Sequence, residues 1–152
     1  MESQKCKVTI SGKEYLYEKG TSYQEIAKDF QKEYKHQIAL VILDGHRLQE
    51  LRKQVSGDCT LQFITTQDTA GDDTYRRSVC FLFIKAVHDV IGHERLQQVR
   101  VRIHFSLGAG FYCTVEGIDH VGMEFQWKVE ERMYELVQQR LPITKELIHT
   151  EE

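Results

Sequence analysis

Residues 6–30, "CKVTISGKEYLYEKGTSYQEIAKDF", pass from one periodicity to another, and the change decides the expected fold. Over 6–18, apolar and polar residues alternate on either side of Ser11-Gly12-Lys13, the pattern of two short strands joined by a tight turn. Ser22 then stands three residues before Glu25, a capping box in which each side chain satisfies a free backbone N–H at a helix start. Behind it Tyr23, Ile26, Ala27, Phe30 and Tyr34 share one face at helical spacing, which predicts an amphipathic helix. A hairpin followed by a helix suits a small sheet that covers one of its faces with that helix.

The rest of the first half continues this pattern. "IALVILDG" (38–45) is apolar on both faces, as an interior strand must be, and Asp44-Gly45 ends it with a turn signal. "CTLQFIT" (59–65) alternates again, with Leu61 and Phe63 on one side. Two strands, a helix and further strands predict a β-grasp sheet on a single helix. "TQDTAGDDT" (66–74) is polar, acidic and built of small residues, so it reads as an inter-domain connection. The expected organisation is a first unit over 1–66, a linker over 67–74 and a second unit over 75–152.

In the second unit, Val79, Cys80, Phe83, Ile84, Val87, Val90 and Ile91 form an apolar surface too broad for a helix covered on one side only, and Gly92 supplies its stop. "VRVRIHF" (99–105) places Val99, Val101, Ile103 and Phe105 on one face and Arg100, Arg102 and His104 on the other. "GFYCTVE" (110–116) returns after the turn at Gly108-Ala109-Gly110, predicting a second hairpin. Phe125, Val129, Met133, Leu136 and Val137 then recur at three and four ahead of Pro142, predicting a long amphipathic helix that ends near Arg140. The fold class expected for the whole chain is α+β.

Composition narrows the function classes. With 152 residues, 41% of them hydrophobic, the chain can build one ordinary core or two small ones. A formal charge of -3 gives no chain-wide basic field, which disfavours binding dominated by phosphate neutralisation. No run of 18 apolar residues occurs and "MESQKCKVTI" lacks the apolar core of a signal peptide, so the expectation is a cytosolic protein without membrane contact. Cys6, Cys59, Cys80 and Cys113 are widely spaced with no C-x-x-C pair, as reduced structural thiols are.

The residues "KVTISGKEYLYEKGTSYQEIAKDF" through "ALVILDGHRLQELRKQVSGDCTLQFIT" resemble the TGS domain, the ubiquitin-like module shared by threonyl-tRNA synthetases, (p)ppGpp synthetases and certain GTPases; the likeness covers nearly all of 5–66. It implies a binding or regulatory module rather than an activity. The helix, hairpin, helix order after it, with "GFYCTVE" and "VEERMYELVQQRLPITKE", resembles the domain of threonyl-tRNA synthetases that edits mischarged tRNA. In that family the first helix carries an H-x-x-x-H pair that positions water and the ester. Laid on this chain, the pair falls on Arg77 and Phe81. A benzyl ring neither donates nor accepts, and a guanidinium has no accessible basic form, so the resemblance implies a scaffold without its general base. The further cysteine and histidine of the editing site lie past residue 152 in that family.

"RRSVCFLFIKAVHDV", "IHFSLGAGFYC" and "ERMYELVQQRLPITKE" also resemble the bacterial uridine-kinase-type nucleoside kinases, in which both modules precede a P-loop kinase domain. That resemblance, over 5 to about 147, implies a regulatory or binding region of a nucleoside kinase, with ATP or GTP and Mg held by a kinase domain downstream in cis. No G-x-x-x-x-G-K-[ST] occurs here, so this chain would phosphorylate nothing alone and has no cofactor of its own. The rival expectations are an N-terminal TGS/editing fragment of a threonyl-tRNA synthetase, and a tRNA-binding module.

Within these readings the candidate ligand contacts are Arg77, Arg100, Arg102 and His104. Arg76, Arg77, Arg100 and Arg102 offer guanidinium forks to phosphate or carboxylate, for RNA or a small regulatory ligand; the plainer account is a solvated charged surface neutralised by Asp72, Asp73 and Glu94. His104 faces outward beside the glycine turn, where it is either a ligand contact or an ordinary strand residue. A metal site from His104 and Cys113 with Cys80 or His88 lacks the close ligand pairs zinc uses. Cys113 as a nucleophile would need a base and a lowered pKa.

Overall fold

The computed structural model describes residues 4–108, 110–118, 120–141, 143 and 146. The chain divides into two compact units, Met1–Ser78 and Val79–Glu152. No helix among the described residues is long and apolar enough to cross a membrane.

The first unit holds five strands, β1 (Lys5–Ile10), β2 (Lys13–Glu18), β3 (Ile38–Leu43), β4 (Arg47–Glu50) and β5 (Cys59–Thr65), and the helix α1 (Tyr23–Phe30). Their order across the sheet is β2-β1-β5-β3-β4. That order makes β5 the central strand, and with β1 and β5 parallel and the other pairs antiparallel it gives the β-grasp arrangement. Alternation explains the layering: Cys6, Val8 and Ile10 of β1, and Leu61 and Phe63 of β5, turn to the side where α1 lays Tyr23, Ile26, Ala27 and Phe30. Phe30 meets Tyr15 edge-on with centroids 5.1 Å apart, and Phe63 at 5.5 Å.

The capping box forms as the sequence predicts. Ser22 Oγ accepts from the Glu25 N–H at 3.2 Å, and the Glu25 carboxylate accepts from the Ser22 N–H at 2.8 Å. Two further free donors of the first turn, the N–H groups of Tyr23 and Gln24, donate to the carbonyls of Lys53 and Leu51. The short polar strand β4, "RLQE", carries no apolar alternation and was not predicted; it sits at the sheet edge with Leu48 exposed.

The expected linker over 67–74 is helical from Thr69, and a single helix α2 (Thr69–Ile91) continues to the predicted stop at Gly92. Its start folds back on β5. Asp68 accepts from the N–H and hydroxyl of Thr65, the Asp72 N–H donates to the Asp68 carbonyl, and Gly71 lies so close to the Thr65 carbonyl that a Cβ would meet its oxygen at 1.9 Å. Small polar residues there look like a loop because no apolar face marks them; the close approach of Gly71 is a tertiary fact that composition does not encode.

The second unit joins the latter part of α2 to a hairpin, β6 (Arg100–Leu107) and β7 (Gly110–Glu116), and to α3 (Met123–Gln139). Ala86 and Val87 of α2 and Val129 and Leu136 of α3 are buried together, with Val101, Val115, Phe125 and Met133 packed against them. Asp89 ties the helices: Lys85 donates to it on α2 and Arg132 Nε donates to it from α3 at 2.9 Å. α3 ends at Arg140, as the sequence predicts, and that residue takes the left-handed conformation; Val137, expected on the apolar face, is exposed. The turn residue Ala109 and the expected helix stop Pro142 lie outside the described residues.

Candidate functional site

The positions that the editing motif would occupy stand four residues apart on α2, where side chains share a face. Both are exposed. Arg77 Nε donates to the carbonyl of Asp73 at 3.2 Å, and the Phe81 ring is 56% accessible. Arg76 pairs with Asp72 at 2.8 Å, one of the neutralising contacts the sequence offered. Arg76 and Arg77 belong to the first compact unit, Arg100, Arg102 and His104 to the second.

In the second unit, β6 and β7 make a two-stranded antiparallel sheet. Arg100 lies opposite Glu116, Val101 opposite Val115, Arg102 opposite Thr114 and Ile103 opposite Cys113. There the register breaks: Phe105, not His104, opposes Tyr112. His104 is therefore the extra residue of a β-bulge, and beyond a bulge the facing of every side chain changes. The expectation that Phe105 continues the inner face of Val99, Val101 and Ile103 is thus corrected. The Phe105 ring is 58% accessible and stacks on Tyr112, itself 48% accessible, with centroids 5.3 Å apart and planes 27° from parallel. Leaving such a ring in water forgoes part of the roughly 1.5–3 kcal/mol that full burial gives.

Arg100, Arg102 and His104 do face outward, as alternation predicts, and the bulge brings the aromatic residues to the same side. His104 Nε2 bonds Thr114 Oγ1 at 2.9 Å, and its ring lies 5.4 Å from that of Tyr112. Three rings thus form a row, His104, Tyr112 and Phe105, beside two guanidinium groups. Glu116 reaches Arg102 only at 3.7 Å and both side chains are half exposed, a geometry of little energetic worth. Among the described residues Arg100 makes no ion pair.

The other side of the hairpin is different. Cys113 faces inward and lines a mainly apolar cleft of about 500 Å³ with Phe83, Val115, Phe125, Val129 and Met133. Burial pushes the Cys113 thiol up from its usual range, and the nearby Cys80 pushes it further. That is opposite to what a nucleophile needs. His104 and Cys113 sit on opposite faces, so they do not share a ligand, and no three His, Cys, Asp or Glu side chains gather as a metal set among the described residues.

No family model matches the chain. Among curated proteins it is similar to threonine–tRNA ligases. Those of Thermotoga sp. (strain RQ2) and Thermotoga maritima are each 29% identical over 150 residues, 97% of this chain and 22% of the relative. That of Clostridium novyi is 28% identical over 141 residues, 91% of this chain and 21% of the relative. The chain thus spans about a fifth of the length of the curated relatives it matches. These relatives overturn the expectation of a nucleoside-kinase region, and they give no support to a kinase domain in cis. The stretches that suggested it come from α2, the β6–β7 hairpin and α3, scaffold elements whose residues encode packing and not a parent's chemistry. Over nearly its whole length, then, the chain is similar to part of the threonine–tRNA ligases.

Proposed function

We propose that this chain is a tRNA-contacting module of the threonyl-tRNA synthetase kind, with a TGS domain over 1–66 and an editing-like domain over 75–152 that lacks the hydrolytic step. The observation that carries this reading is the likeness to threonine–tRNA ligases over 97% of the chain. Arg77 and Phe81 stand where the resemblance would place two imidazoles, and neither side chain can take a proton from water. Binding without turnover is what remains. The outward cations Arg100 and Arg102 are its phosphate contacts, effective locally although the whole chain is acidic.

Fluorescence anisotropy of a labelled threonine tRNA against salt, paired with release of serine from seryl-tRNA, tests both halves. The expected result is binding that weakens steeply with salt, at an unchanged rate of deacylation. Absence of binding at low salt removes the RNA reading, and clear turnover removes the claim that the hydrolytic step is lost.

A further inference from the structure

We infer that the outward face of the β6–β7 hairpin is a stacking platform for an unpaired stretch of RNA, with bases on the Phe105–Tyr112–His104 row and the backbone beside it on Arg100 and Arg102. The inference rests on the proposed tRNA contact and deepens it by naming the surface and the form of RNA it takes.

Three observations lead there. The rings stand exposed and pack on one another, with Phe105 stacked on Tyr112 and His104 tilted against it, so an aromatic stack that a base can extend is already in place on the strand pair. The bulge that turns Phe105 out of the core is a local departure from the period of two, and such departures commonly re-aim a side chain at a binding surface. The flanking charge is net positive: two exposed guanidinium groups and one carboxylate, Glu116, which stands opposite Arg100 and holds Arg102 only at 3.7 Å. A nucleobase offers a flat π-face to the rings, and its phosphates suit the arginines; this pairing of stacking platform and cationic track is how single strands are bound without sequence readout. A duplex hides its base faces in its own stack, so it can use the arginines but not the rings.

The test uses the full chain, an oligoribonucleotide of unpaired sequence carrying one 2-aminopurine, and unmodified threonine tRNA. Wild-type protein quenches the 2-aminopurine by stacking and binds both RNAs. The pair Phe105→Ala and Tyr112→Ala abolishes the quench and weakens both complexes by about ten-fold or more. Phe105→Tyr with Tyr112→Phe, which keeps two rings, retains both signals. Arg100→Gln leaves the quench and lowers the slope of log affinity against log salt by about 0.7. Should the alanine pair not fold, Phe105→Ser alone, at a site more than half exposed, answers the same question.

Wild-type protein that binds tRNA with no quench, and ring variants that bind tRNA equally well, overturn the platform and leave the tRNA reading standing. The same holds if the ring variants change only self-association in sedimentation, which would make this face a contact between copies of the chain. Wild-type protein that binds neither RNA at about 50 mM salt removes the tRNA reading, and the platform falls with it.

Discussion

Deleting one residue from a strand ordinarily exchanges its inner and outer faces, so the bulge at His104 gives an unusual expectation. β6 spends eight residues, Arg100 to Leu107, where β7 spends seven, Glu116 back to Gly110, and both ends are paired. Removing His104 equalises the strands: Ile103 still opposes Cys113, Phe105 still opposes Tyr112, and no facing changes. The losses are the hydrogen bond to Thr114, about 0.5–1.5 kcal/mol, and the ring contact with Tyr112, roughly 0.5–1.5 kcal/mol. A regular ladder restores about 1 kcal/mol, so the net cost is about 2 kcal/mol at most and as little as about zero. Removing Arg102 instead also equalises the strands, but moves Ile103 outward opposite Thr114 and His104 inward opposite Cys113. That change forgoes up to about 1.5–3 kcal/mol of isoleucine burial and puts an imidazole into an apolar layer without a partner, roughly 1–3 kcal/mol more. Urea denaturation followed by circular dichroism, with hydrogen exchange over residues 99–116 as the local probe, compares the two deletions. Equal stability for both, or greater damage from loss of His104, would refute the register and with it the outward placement of Phe105.

Three further expectations are independent of that register. Gly92 and Gly117 both have φ of +87°, but a Cβ at Gly92 meets nothing within 4 Å, whereas at Gly117 it meets the Gln98 carbonyl oxygen at 2.0 Å. Gly92→Ala should cost about 1–3 kcal/mol of backbone strain, and Gly117→Ala about 1–3 kcal/mol beyond that for displacing backbone; thermal melts of the two variants read the difference. Ser22→Ala removes the capping box and should lower the stability of the first unit by about 1 kcal/mol, read from exchange of the α1 amides. Burial alone would raise the Asp89 carboxyl, but Lys85 and Arg132 outweigh it and hold the group below its usual range. Its folded value lies below its unfolded one, so its contribution is complete above about pH 4 and is lost as pH falls through the folded value. The stability gap between wild type and Asp89→Asn should therefore narrow as the pH falls below about 4, and a gap that stays constant or widens on acidification would sink this account.

Much of the architecture was legible because it depends on local periodicity. The capping box at Ser22 and Glu25, the turns at Ser11-Gly12 and Asp44-Gly45, and the stop at Gly92 are short-range devices whose chemistry is written in neighbouring residues. What escaped depends on a partner elsewhere in the chain. The polar strand β4 exists because β3 offers it an edge, and the first turns of α2 exist because Gly71 can press against the Thr65 carbonyl. Likeness among scaffold stretches was similarly uninformative about the parent, since a buried helix face constrains size and apolarity and little else.

The candidate site shows the same division within a single strand. Arg100, Arg102 and His104 could be placed outward from alternation alone, whereas Phe105 could not, because nothing in "VRVRIHF" says that the ladder contains one residue too many. The excess is fixed from outside. At the base, Gly117 passes too close to Gln98 to allow a slip, and at the tip Gly110 pairs with Leu107. Between those fixed ends one residue of β6 must go unmatched. Placing it at His104 keeps Val101 and Ile103 on the inner face, and leaves the aromatic residue that follows to face water. The ring row is thus a consequence of strand lengths set by the two ends of the hairpin, which is why it becomes visible only once both strands are paired.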